Sequence, residues 1–294
     1  VAAAVLAVTI IVAWRYYRPR FVIDVAEWRV LIAGTLGFAV AIALGTLYQY
    51  AAQLMIVATG SPDQAGYFSM AFRIYIVLSA VPGLFVSGAF PLLARSALGD
   101  ERRFAYGLRV LAEATIILGG AMALAVGIGA PFIVEVIGGP GYDAAVPATR
   151  VLGVVLVLAA VVSTWGAALM ALHAHRAIAI TSIVGLVPVL ALTSSAGREY
   201  GATGVAVVVL VAEVVFATGY GVALLRGAPD RAPAVSRVAR TAVAAVPALL
   251  ALALPFASWV QAAAALVIYG VGILVLRALP AEVVELAPAG ISER

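Results

Sequence analysis

The sequence predicts an all-α integral membrane protein with about eight full transmembrane helices and one partial one. Of its 294 residues 65% are hydrophobic and 11% charged. A soluble domain carries roughly 45–50% apolar and about 25% charged residues. The mean hydropathy is +1.13. The apolar residues fall into nine runs parted by short gaps that hold Arg, Asp, Gly or Pro. Each full run suits the ~20-residue helix that crosses a ~30 Å hydrocarbon core, whereas barrel strands are about 9–11 residues long and alternate in polarity. A soluble enzyme, a nucleic-acid-binding module and a disordered tail are excluded.

The runs follow one another as the bilayer requires. Residues 1–14 are apolar but too short to span, and the Arg cluster follows them rather than preceding them, unlike a signal peptide. They read as the end of a truncated transmembrane helix, followed by a cytoplasmic linker at 15–28. A six-helix bundle is expected over 29–225, with spans at 29–59, 65–94, 105–130, 147–172, 176–195 and 202–225. The first is long enough to tilt or to extend past the bilayer. A cytoplasmic loop at 226–236 leads to two additional helices within 237–278, at 237–256 and 259–278, and then to a cytoplasmic tail at 279–294.

Charge gives the orientation. The net charge is +4, and all 18 basic residues are Arg. Fifteen lie in alternate gaps, among them Arg15, Arg18, Arg20, Arg95, Arg102, Arg103, Arg231, Arg277 and Arg294. That pattern is a topology signal rather than a phosphate-binding face for nucleic acid, and it puts these gaps on the cytoplasmic side of the cell membrane. The amino end then faces out and the carboxyl end in. The opposite gaps are too short to hold a folded domain, so function lies between the helices or on their connections. There is no Cys, and the two His, His173 and His175, sit on one turn. No metal site, catalytic group or cofactor is expected from this set.

Ionisable groups inside spans are costly and each needs a reason. Arg73 lies seven residues after Gly66, and Ser69, Arg73 and Ser87 share an arc with Gly66, Ala80 and Gly83. A stripe of small and polar side chains suits another backbone or a wet cavity, so these three are candidate substrate contacts, with Arg73 binding an anion. The alternative is that Arg73 snorkels outward. Glu213, near mid-membrane, is the ion-coupling candidate; otherwise it is a protonated carboxyl bonded to a neighbouring helix. Glu113, four residues after Arg109, reads as an interfacial pair. Gln49 and Gln53 are expected to make polar contacts between helices. Pro82, Pro188 and Pro247 fall inside spans, as packing kinks or as hinges.

Several motifs carry a family likeness. Gly66-Tyr67-Phe68-Ser69-Met70-Ala71-Phe72-Arg73-Ile74, Val81-Pro82-Gly83 and Ala89-Phe90-Pro91-Leu92-Leu93-Ala94 form one helix. Gly138–Tyr142 with Ala144-Ala145, the Leu169–Arg176 stretch, and Tyr200-Gly201-Ala202-Thr203-Gly204-Val205-Ala206 follow in order. Together they resemble the oligosaccharide/polysaccharide flippases (polysaccharide biosynthesis proteins) of the multidrug/oligosaccharidyl-lipid/polysaccharide exporter superfamily. The resemblance implies the carboxyl-terminal half of a fourteen-helix fold, working with an amino-terminal bundle not present here. It implies a transporter, not an enzyme, that flips a polyprenyl-pyrophosphate-linked oligosaccharide for cell-surface polysaccharide. Its partners would be that lipid-linked substrate and the bilayer, with no nucleic acid. Gln53 stands where many relatives carry an acidic residue. A multidrug or cation antiporter of the same superfamily is the alternative, and a membrane glycosyltransferase or glycan polymerase is disfavoured by the short outer gaps.

Overall fold

The computed structural model describes residues 2–17, 25–226, 228–233 and 235–279. Arg18, Arg20, Arg294 and nearly all of the expected tail lie outside them. The described residues are helical, without a strand. They comprise α1 (Ala2–Tyr17), α2 (Val25–Thr59), α3 (Pro62–Ala97), α4 (Glu101–Gly138), α5 (Val146–Ala171), α6 (His175–Leu225), α7 (Val235–Ala248) and α8 (Ser258–Val275). The chain divides into two units, residues 1–40 and 41–294. The first consists of α1 and the start of α2, both exposing apolar side chains such as Leu6, Ile11 and Ile32.

Local sequence sets the ends of the helices in the second unit. Ser61 caps α3, its hydroxyl accepting from the Gln64 amide at 3.4 Å, and Pro62 occupies the first turn, where its missing N–H costs nothing. Asp100 caps α4 by accepting from the Arg103 amide at 2.9 Å. The α5–α6 turn closes through His173 at φ 55°, with the Ala174 amide bonded back to the Leu169 carbonyl.

One expected gap and one expected span differ from what forms. The runs at 176–195 and 202–225 form two helices that meet directly at a kink within the 51-residue stretch His175–Leu225, without a loop between them. A straight helix of that length would run about 76 Å, far beyond a ~30 Å core. Gly201 breaks it, with φ 59° and ψ −146°, a conformation essentially confined to glycine. With that break counted, α2 to α8 supply eight candidate spans among the described residues. The run at 237–256 is regular only to Ala248, because Pro247 lacks an N–H and its ring crowds the preceding turn. A 3₁₀ stretch, Leu249–Ala253, follows. The Gln261 side chain donates to the freed carbonyls of Leu252 and Leu254, at 3.4 and 2.8 Å.

The core of the second unit is largely apolar, with Glu113, Glu213 and a few Ser and Thr side chains buried in it. Ala52, Ile56, Phe68, Phe72, Leu152, Leu156, Val189 and Val205 interlock α2, α3, α5 and α6. Near the Arg-rich end, Leu93, Phe104, Leu108, Leu169, Phe216 and Leu224 form a second cluster. In a third, Leu124 and Ile128 of α4 meet Ala244, Ala248, Tyr269 and Ile273, which joins α7 and α8 to α4. The outer surface is apolar as well: Val77, Leu84, Val187, Leu250 and Val267 are exposed. With lipid as the surrounding solvent, no polar exterior is required.

Within the second unit alternate gaps gather at the same end, as the Arg pattern requires. Arg231, between α6 and α7, bonds Glu101 at the start of α4 at 2.9 Å and lies over the Phe104 ring at 5.6 Å. At the other end Gln64 meets Ala202, and the Ser258 hydroxyl accepts from the Phe132 amide at 3.2 Å.

Candidate functional site

Glu213 is the centre of the site that the fold builds. It lies twelve residues beyond the Gly201 break, about 18 Å along the helix, and it is 5% exposed. Tyr75 of α3, 6% exposed, lies thirteen residues after Pro62, about 20 Å along its own helix. The two meet at mid-membrane depth, where the Tyr75 hydroxyl donates to Glu213 Oε1 at 2.9 Å. Tyr48 of α2 approaches the same carboxyl. Among the described residues neither the Tyr48 hydroxyl nor Glu213 Oε2 has a hydrogen-bond partner in good geometry.

Aromatic rings close the cluster from the bilayer. Tyr48 lies 4.1 Å from Phe216 between ring centroids, Phe216 is edge-on to Tyr220 at 5.7 Å, and Phe72 is 5.6 Å from Tyr75. Gly185 in the first half of α6 allows the Phe216 ring to pass, since a Cβ there would collide with it. A gap of about 10 Å³ lies beside the cluster, lined by Tyr48, Gln49, Phe72 and Tyr75. That is at most the room of one water, and Tyr48, whose hydroxyl is unpartnered, is among the residues that line it.

The other candidates distribute differently. Arg73 is exposed and makes no ion pair among the described residues. Two positions separate it from Tyr75, which at 100° per residue puts the pair on opposite sides of α3. The face of Arg73 carries exposed Val77, Ala80, Leu84 and Ser87, so large apolar side chains interrupt the small stripe. Ser69 is half-buried and takes a long bond, 3.5 Å, from the Gln53 side chain of α2. Gln49 is exposed next to the gap. Glu113 is buried on α4 and ion-pairs with Arg237 at the start of α7, a partner that the Arg109 spacing did not suggest. The sequence reading also missed Tyr48 and Tyr75. Tyr75 stands 138 positions from Glu213, and no local spacing signals such a pair.

No protein-family model and no curated protein matches the chain. Among solved structures, a MATE crystallised in the bent conformation matches with a TM-score of 0.57 at 14% identity, covering 83% of this chain and 64% of that one. This chain thus spans less than two thirds of that protein. At such identity the likeness is one of fold. The chain is an all-helical, multi-pass membrane protein that shares the fold of a MATE.

Proposed function

We propose that the chain is the carboxyl-terminal part of a secondary transporter that moves a polyprenyl-pyrophosphate-linked oligosaccharide across the cytoplasmic membrane, the Arg-rich gaps facing the cytoplasm. One observation carries this reading. On α3, Arg73 stands exposed on one side while Tyr75 on the other is bonded to the buried Glu213. A guanidinium can fork onto phosphate oxygens, so the exposed side offers an anionic headgroup a contact. The buried side offers a cation or proton a carboxyl. Gain or loss of that charge changes the Tyr75 bond, and with it the helix that presents Arg73. An amino-terminal bundle facing α3 would close the cavity, and the two would open alternately.

The second reading, a multidrug or cation antiporter, draws on the MATE fold neighbour and on Glu213 as an acidic group for a cationic solute. Surface glycan and efflux of a cationic dye, measured together in cells that express the full-length transporter, separate the two. In the flippase reading Arg73→Ala abolishes glycan export at normal protein abundance, and Arg73→Lys restores part of it. Full export by Arg73→Ala would refute that reading, and dye efflux without glycan export would replace it with the second.

A further inference from the structure

A second site lies on the outside of the bundle, away from Glu213. A groove of about 750 Å³ runs between the carboxyl-terminal half of α3 and the amino-terminal half of α4. Phe85, Leu92, Leu111, Ala114 and Leu118 line it, and Arg103 stands at its mouth. The volume is that of a small-molecule site. The Ser and Thr hydroxyls in the lining that could compete for a ligand are satisfied: Ser96 donates to the Leu92 and Leu93 carbonyls, and Thr115 to those of Leu111 and Ala112. Arg103 makes no ion pair among the described residues.

We propose that this groove holds an acyl chain of an anionic bilayer phospholipid, with its phosphate on Arg103. The dimensions fit a lipid. From Ser96 to Phe85 the groove follows α3 for about 16 Å, close to one leaflet of a ~30 Å core. Arg103 therefore stands at headgroup level above an apolar slot. The charge fits as well. Arg95 and Arg102 are exposed at the same end, and the first turn of α4 adds the positive end of a helix dipole. Of the two carboxylates there, Glu101 is paired with Arg231 and Asp100 is engaged in capping α4. A basic rim over an intramembrane cleft is the arrangement that selects acidic lipid headgroups. The site is independent of the transport reading, since it uses none of Arg73, Tyr75 or Glu213.

The test is native mass spectrometry of the full chain in detergent, titrated with dioleoylphosphatidylglycerol and, in parallel, dioleoylphosphatidylcholine. The first phosphatidylglycerol should bind about tenfold more tightly than the choline lipid. Arg103→Gln, an exposed change, should bring the two within about threefold, and Ala114→Phe, which fills the slot, should weaken both. Melting curves establish that each variant is folded. Equal binding of the two lipids by the native chain would overturn the proposal, as would a preference that survives Arg103→Gln. Tighter binding of a polyprenyl phosphate than of phosphatidylglycerol, lost in the same variants, would assign the groove to a carrier lipid instead and overturn it too.

Discussion

Glu213 sits where single atoms decide the outcome. Its Oε1 is held by Tyr75, and the Tyr48 hydroxyl approaches the same carboxyl without a well-aligned bond. On the proposed transport reading, Glu213→Gln should therefore remove dependence on an imposed proton or sodium gradient while leaving protein abundance unchanged. Tyr75→Phe should weaken that dependence without abolishing it. Uptake or export measured with and without each gradient checks both, and gradient-driven transport that persists in Glu213→Gln would make the residue purely structural. Gly185 gives a packing test at the same place. Gly185→Ala drives a methyl group into the Phe216 ring, and overpacking of this kind costs about 1–3 kcal/mol. A lowered melting temperature of the purified protein is the expected result.

At the scale of the element, the break in α6 is the feature on which the count of spans depends. Gly201 takes the backbone through a glycine-only conformation, and the Gln64 side chain of α3 accepts from the Ala202 amide at 2.8 Å just beyond it. Gln64 thus satisfies one of the amides that the second half-helix leaves open at its start. Gly201→Ala should destabilise by about 1–3 kcal/mol, from strain and from the clash of its Cβ with Gln64. Gln64→Leu should cost a similar amount, about 1–3 kcal/mol, by orphaning the Ala202 amide. Because both act on one contact, the double variant should lose less than the sum of the two single losses. Thermal unfolding of the three variants in one detergent checks this, and strict additivity would mean that Gln64 does not support the break.

Across residues 41–294 the described helices sort their connections to two ends, and the Arg count distinguishes those ends. The chain contains no Cys, so single thiols report on topology without background. Tyr200 and Leu98 are 66% and 80% exposed at opposite ends of the bundle. An impermeant thiol reagent applied to intact cells should label Tyr200→Cys, and should label Leu98→Cys only after the membrane is opened. Labelling of Leu98→Cys alone on intact cells would invert the orientation. The Arg231–Glu101 bond and the pair of the buried Glu113 with the part-exposed Arg237 tie the connection after α6 and the start of α7 to α4.

The sequence by itself determined the solvent, the class of element and the order of the spans. Bilayer hydrocarbon leaves a backbone no partner but itself, so a run of some twenty apolar residues must be a helix wherever it packs. The rows of Arg divided the connections into two sets for a similarly local reason, and the pairing of Arg231 with Glu101 joins two members of one set. Glu213 was legible as an anomaly because a carboxyl in such a run is conspicuous whatever surrounds it. What surrounds it was not legible. Tyr48, Tyr75 and Glu213 come from three helices, and one helix's periodicity says which face a residue occupies but not which helix lies opposite. The same holds for Arg237 as the partner of Glu113 and for Gln64 at the break in α6. These are choices among geometrically similar packings of apolar cylinders, settled by the fit of Gly185 to Phe216 and its equivalents across the core. Only the tertiary structure makes them.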